Sequence, residues 1–253
     1  MNFKIDPKFL YLLEHFSSKE FFYSMRNNYQ SFLDRLELLF AVCMRNLPCN
    51  YLDFPMPEQV DINWGGTVLP LLRKTMDTLD FAYIRIKEGD LTYLDCASEI
   101  RSNDKGMSEF SKKWMDELPH ENVKECWDFY TKAKAEAFII ENTYPTYWNQ
   151  ESIVDEIFDI SKINIPVSYP IYRINQSIKV KSNEKVAITG LYISEFVPNR
   201  IEFMAHSNED DRGFGSVIPT TIDPETYETY YEKTDWYLIE RVANEGGKFT
   251  DRS

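Results

Sequence analysis

Histidine side chains are few in this chain, and their spacing matches no known catalytic pattern. The histidines are His15, His120 and His206, and imidazole is the side chain most often used to transfer protons near neutral pH. None of them stands in a spacing typical of a hydrolase or a kinase. His120 and Cys126 lack the further ligands that a zinc site requires. We therefore predict a protein that is not an enzyme and that has no catalytic residue, no cofactor and no metal ion.

Motifs that bind phosphate or build a nucleophilic turn do not occur either. The sequence contains no G-x-x-x-x-G-K-[ST] loop and no G-x-S-x-G turn, and Gly213-Phe-Gly215 is too short to count as G-x-G-x-x-G. Paired carboxylates are a different chemistry, because two close acids are enough to cleave a glycosidic bond. With 41 Asp and Glu residues in the chain, a carboxylate-dependent enzyme such as a glycan hydrolase stays as an alternative. It predicts a deep pocket that holds a carboxyl group of raised pKa.

The densest polar cluster of the sequence is the segment from Glu209 to Gly215. It can be a solvated hairpin tip whose charges discourage edge pairing, a loop that contacts a basic partner, or an oxygen-rich cation site. The alternating Asp spacing of a calcium loop is absent. The candidate partner-binding residues of this segment are Glu209, Asp210, Asp211, Arg212 and Phe214.

Trp64 is a second candidate contact residue, because it precedes two glycines in a stretch that we expect to be a loop. Tryptophan is favoured where proteins bind each other tightly. The same three residues also suit a ring folded back onto the helices, with Gly65 and Gly66 permitting the turn. The sequence leaves both interpretations open.

The charge of the chain points away from nucleic acid and towards basic partners. It has 28 Lys and Arg residues against 41 Asp and Glu, a formal net charge of −13. Binding to nucleic acid depends on cations that neutralise phosphates, so we predict no nucleic-acid partner. A negative field attracts basic proteins and speeds their encounter, although acidity also serves solubility alone.

The cysteines and the apolar runs indicate a cytoplasmic protein without membrane contact. The four cysteines form no C-x-x-C pair, and reduced thiols are typical of the cytoplasm. The N-terminal residues show no apolar region of a secretory signal. The longest apolar run, 38–44, is far shorter than the roughly 20 residues that cross a membrane. The oligomeric state does not follow from the sequence.

Apolar stripes and helix caps predict helices in the first two-thirds of the chain. Asp6-Pro7 has the form of an N-cap followed by proline at the first helical position. A long helix follows Ser17 and ends before Pro48, and the next one ends at Gly89. A loop with three prolines separates these two. Further helices are predicted over residues 91–101, 108–118, 121–141 and 151–158.

Short segments with a period of two and many β-branched and aromatic residues predict strands between residues 178 and 242. No strand–helix alternation occurs, so we expect an antiparallel sheet. The fold class predicted is α+β, with a mostly helical N-terminal part of antiparallel helices and a small antiparallel β-rich C-terminal part. We place the domains at 1–163 and 164–253 and expect them to pack together as one unit.

Three segments of the strand-rich region resemble a known family. They are Val186-Ala-Ile-Thr-Gly190-Leu-Tyr192, the Arg-Ile-Glu-Phe strand at 200–203, and Trp236-Tyr-Leu-Ile-Glu-Arg-Val242. This combination is similar to the C-terminal region of immunity proteins of bacterial polymorphic toxins, in particular the immunity protein 71 and 72 families. Members of these families often carry Cys-Pro just ahead of the strand glycine, where this chain has Ala187-Ile188. The matched residues suit structural roles, Gly190 in a close approach and Trp236 and Leu238 in the core.

The resemblance implies a protein that binds a cognate toxin and neutralises it through a tight complex. Such a toxin is an effector delivered by a neighbouring cell, for example by type VI secretion, and its inhibitor needs no catalytic residues. The expected partner is then a toxin domain, and the charge above favours a basic one. A helical adaptor protein that binds several partners through an exposed apolar groove is the other alternative.

Overall fold

The computed structural model describes residues 5–149, 166, 168–198 and 200–247. The fold is α+β, with helices in the N-terminal part and an antiparallel sheet in the C-terminal part, as the sequence predicts. By its contacts the chain divides into two compact units. We call residues 19–87 and 96–140 the helical unit, and residues 1–18, 88–95 and 141–253 the sheet unit.

This division differs from the predicted domains 1–163 and 164–253. The first helix and residues 88–95 belong with the sheet, because Tyr172 donates a hydrogen bond to Glu14 at 2.7 Å and Tyr11 packs edge-on against Tyr169. The predicted boundary between residues 163 and 164 lies outside the described residues, as does the helix predicted at 151–158.

The helices follow most of the predicted stripes. They are α1 (Pro7–Phe16), α2 (Lys19–Arg45), two 3₁₀ turns (Tyr51–Asp53 and Met56–Glu58), a π-helix (Asp61–Val68), α3 (Leu69–Lys87), a 3₁₀ helix (Leu91–Ser98), α4 (Glu99–Ser108), a 3₁₀ turn (Lys113–Met115) and α5 (His120–Glu141). Asp6 caps α1 by accepting a hydrogen bond from the backbone N–H of Lys8. Gly89, just past α3, has a φ of +102°, which suits the residue after a helix end.

Two predicted segments of the helical unit are wrong, and both corrections involve Trp64. The expected loop around Gly65 is a π-helix, in which the backbone N–H of Leu69 bonds to the carbonyl of Trp64. The helix predicted over 108–118 is only a 3₁₀ turn. The indole N–H of Trp64 donates to the carbonyl of Ser111, and the N–H of Met115 donates to Lys112 instead. The predicted helix at 91–101 begins as a 3₁₀ helix.

The sheet unit contains a five-stranded antiparallel sheet and a separate hairpin. The strands are β1 (Tyr147–Asn149), β2 (Tyr169–Lys181), β3 (Gly190–Ser194), β4 (Arg200–Met204), β5 (Ile218–Ile222), β6 (Thr229–Glu232) and β7 (Asp235–Gly247). Among the residues that the structure describes, the order in the large sheet is β1-β4-β3-β7-β2, and β5 and β6 form a separate pair.

Part of the set of residues that carries the family resemblance lies in the core of the sheet unit. Trp236 is fully buried, and its indole N–H donates to the carbonyl of Ser216 at 2.8 Å. Leu238 belongs to the same apolar cluster as Trp236 and Tyr192. A Cβ on Gly190 would lie 3.0 Å from a methyl group of Leu238, so this glycine allows two strands to pack closely, as predicted.

Candidate protein-binding surface

The acidic segment 209–212 is held against residues 88–95 of the sheet unit. The hydroxyl of Tyr93 donates to both carboxylate oxygens of Glu209, at 2.7 and 2.8 Å. The guanidinium group of Arg212 pairs with Asp95 at 2.8 Å and lies 4.3 Å from the centre of the Tyr93 ring. Two of the five predicted contact residues of this segment therefore bind within their own unit, where they hold the loop in place.

The turn that follows Arg212 is fixed by its backbone. Gly213 has a φ of +70°, and a Cβ there would lie 2.8 Å from the carbonyl of Ala205. The ammonium group of Lys185 donates to the carbonyls of Glu209 and Arg212. A non-glycine residue is therefore strained at position 213 on two counts, its φ and the space available.

The remaining predicted residues of this segment point to solvent. Asp210 and Asp211 are exposed. Phe214 is 42% exposed, and the ammonium group of Lys185 lies 4.4 Å from the centre of its ring. The structure therefore divides the predicted cluster into Glu209 and Arg212, which face inward, and three residues that are free to meet a partner.

Trp64 is not an exposed contact residue. Its side chain is 1% exposed, its indole N–H donates to the carbonyl of Ser111 at 2.8 Å, and its ring packs edge-on against Trp114. A ring buried in this way does not reach a partner protein. The prediction that Trp64 is a surface anchor is wrong, and the other interpretation, a tryptophan folded onto the helices, is the one observed.

A more exposed aromatic surface lies on the β5–β6 hairpin, which the sequence did not single out. Its large side chains in solvent are Tyr227 at 80%, Ile222 at 64%, Tyr231 at 59% and Tyr230 at 53% exposure. The base of the hairpin is anchored by Ile218, which is 2% exposed and belongs to the apolar cluster. Exposed tyrosines are enriched where proteins bind each other.

The tip of this hairpin is preorganised by Asp223. Its carboxylate accepts hydrogen bonds from the backbone N–H groups of Glu225 and Thr226, at 2.8 and 3.0 Å. These two N–H groups lower the pKa of Asp223. The N–H of Tyr227 donates to the carbonyl of Asp223, and Tyr227 has a φ of +58°. A bulky side chain with positive φ is rare and strained, so the turn presents Tyr227 in a defined direction.

The hairpin is also acidic. Residues 218–232 include Asp223, Glu225, Glu228 and Glu232 but no Lys or Arg. None of these four carboxylates forms an ion pair within the described residues. We call residues 218–232 the acidic aromatic hairpin. Tyrosine rings beside carboxylates are the chemistry that binds Lys and Arg side chains.

Burial raises the carboxyl pKa of Glu14 and of Glu202, and in each case charged or polar neighbours oppose it. Within the chain, Tyr172 donates a hydrogen bond to Glu14, and Arg241 forms an ion pair with it. Glu240 directly precedes Arg241 in β7. It pairs with Arg173, and its carboxyl pKa is lowered. The carboxyl groups of Glu14 and Glu240 both line one cavity of about 640 Å³, and each is held by different residues.

Metal-binding clusters and membrane-spanning helices are not found in the described part of the chain. Within it, no three His, Cys, Asp or Glu side chains are grouped as ligands for a metal ion. No helix there has both the length and the apolar composition needed to cross a bilayer. Comparison with known proteins gives no match to a family model, a curated protein or a solved structure.

Proposed function

We propose that this chain is an immunity protein that acts in the cytoplasm, where it binds a cognate bacterial toxin and neutralises it in a tight complex. The observation that carries the proposal is the acidic aromatic hairpin, in which exposed tyrosines stand beside carboxylates on an ordered turn. The resemblance of residues 186–242 to immunity proteins supports the same function. The partner is a toxin domain with a basic surface.

The composition of the hairpin suits tight protein binding. Tyrosine provides a large and rigid contact area at a low cost in side-chain entropy, and it is enriched among residues that dominate binding energy. Because hydrogen bonds to Asp223 already order the tip, less entropy is lost when a partner binds. The four carboxylates steer a basic partner to this surface.

Neutralisation by the hairpin is tested by co-expression with the toxin domain encoded beside this gene. We expect the native chain to restore growth and to form a one-to-one complex. Replacing both Tyr227 and Tyr231 with alanine should abolish rescue, because tyrosines at the centre of an interface contribute about 2 kcal/mol each, or about 30-fold in Kd. The two side chains are 80% and 59% exposed, so the fold should keep its stability.

The matched control is Phe81→Ala, since Phe81 is an aromatic side chain of the helical unit with 54% exposure. This variant should rescue growth as the native chain does. If the native chain forms no complex and toxicity persists, the proposed function is wrong. If the hairpin variant and the control both rescue growth, the function stands and the binding surface lies elsewhere.

A further inference from the structure

A cavity of about 740 Å³ opens within the helical unit. It lies between the C-terminal end of α2, the π-helix and residues 111–119, and most of its lining is apolar or aromatic, including Tyr51, Phe54, Trp64 and Trp114. Its volume falls in the range of about 300–1,000 Å³ that is typical of sites for small organic molecules. Contact between an apolar lining and water costs free energy, and a ligand that covers the lining removes this cost.

Hydrogen bonds fix the walls of this cavity, which keeps them from collapsing into it. Besides the bond from Trp64 to Ser111, the hydroxyl of Tyr51 donates to the carboxylate of Asp61. The side-chain amide of Asn63 donates to the carbonyl of Met56 at 3.0 Å. The π-helix that carries Trp64 is itself a rare element that is frequent at functional sites. The cavity is therefore preformed.

The charged groups of the lining favour a cation. Glu58 and Glu117 contribute two carboxylates and Lys113 one ammonium group, and none of the three forms an ion pair within the described part of the chain. The negative charge of Glu117 acts on Cys43 in the cavity wall. Burial raises the pKa of the Cys43 thiol, and the charge of Glu117 raises it further. Glu58, Lys113 and Glu117 are all exposed, so solvent screens their charges in part.

We propose that this cavity binds a small organic cation, an ammonium group on an apolar or aromatic body. The body would cover the aromatic wall around Trp64 and Trp114, and the ammonium group would lie near Glu58 and Glu117. Aromatic faces combined with carboxylates are a common way to hold a desolvated ammonium group. This site goes beyond toxin binding and does not depend on it, since its residues all belong to the helical unit.

The test uses the full chain and three probes with the same apolar body: 4-phenylbutylammonium, 4-phenylbutanol and 4-phenylbutyrate. Isothermal titration should show one-to-one binding of the cation, with a Kd about fivefold lower than that of the alcohol, as one exposed ion pair provides. The anion should bind most weakly. The proposal is overturned if no probe binds at millimolar concentration, or if all three bind equally.

Variants separate this cavity from other surfaces. Glu117→Gln and Glu58→Gln should each weaken binding of the cation by about threefold while the Kd of the alcohol stays the same. Glu109→Gln, an exposed acid outside the cavity lining, should change neither. Asn46→Trp at the exposed end of the lining should reduce binding of both probes by obstruction. Unchanged selectivity in both glutamine variants, with normal circular dichroism, would also overturn the proposal.

Discussion

Replacing Arg212 with methionine tests whether Arg212 holds the acidic segment 209–212 against residues 88–95. The guanidinium group pairs with Asp95 at 2.8 Å, donates to the carbonyl of Thr92 at 3.3 Å and stacks on Tyr93. Its side chain is 27% exposed and that of Asp95 is 37% exposed, so solvent reduces the ion pair to about 0.5 kcal/mol. The contact with the ring adds about 0.5–1 kcal/mol and the hydrogen bond about 1 kcal/mol.

We therefore expect Arg212→Met to lower the free energy of unfolding by about 2 kcal/mol. The measurement is urea denaturation near neutral pH, followed by tryptophan fluorescence. The matched control is Asp211→Asn in the same segment, which removes an exposed charge and should change stability by less than about 0.5 kcal/mol. If Arg212→Met and the control have equal stability, Arg212 does not hold the segment in place and the reasoning about it fails.

Two further predictions concern the sheet unit. Gly213→Ala should cost about 2–3 kcal/mol of stability in urea denaturation, because its Cβ would lie 2.8 Å from backbone atoms and its φ is +70°. Gly89→Ala, which also has positive φ but open space around it, should cost only about 1 kcal/mol. Similar losses would refute the steric argument. Since burial raises the pKa of Glu14 in the fold, protonation of Glu14 stabilises the fold, and this contribution is lost as pH rises through the raised pKa. As pH rises from about 4, the stability of Glu14→Gln should therefore fall less than that of the native chain, and parallel pH profiles would contradict this.

Local patterns in the sequence were enough to predict the fold class and the ends of several helices. Asp6, Pro7 and Gly89 affect the helix ends next to them in sequence, so the rules for helix caps predict their roles directly. The core positions of Trp236 and Leu238 follow from the period of two in β7. The predicted helix at 108–118 failed because a distant group, the indole of Trp64, binds the carbonyl of Ser111. Sequence periodicity does not report a bond between residues 47 positions apart.

The candidate surface was only partly predictable for the same reason. The run of acids at 209–212 looks exposed in sequence, yet Glu209 and Arg212 bind partners about 117 residues away. The hairpin did carry a signal. Tyr227, Tyr230 and Tyr231 stand with glutamates in a segment without the alternation of a half-buried strand, which is the pattern of a strand exposed on both faces. The direction of Tyr227 depends on its positive φ, which sequence rules do not give.

The most direct test of toxin binding through the hairpin is the Kd of the complex with the cognate toxin domain, measured by titration calorimetry at low and high salt. We expect Tyr227→Ala to raise the Kd by about 30-fold and Phe81→Ala to leave it unchanged. Glu225→Gln with Glu228→Gln should flatten its salt dependence, because fewer charges then face the basic partner. A complex whose Kd and salt dependence are the same in the native chain and all hairpin variants would contradict the account.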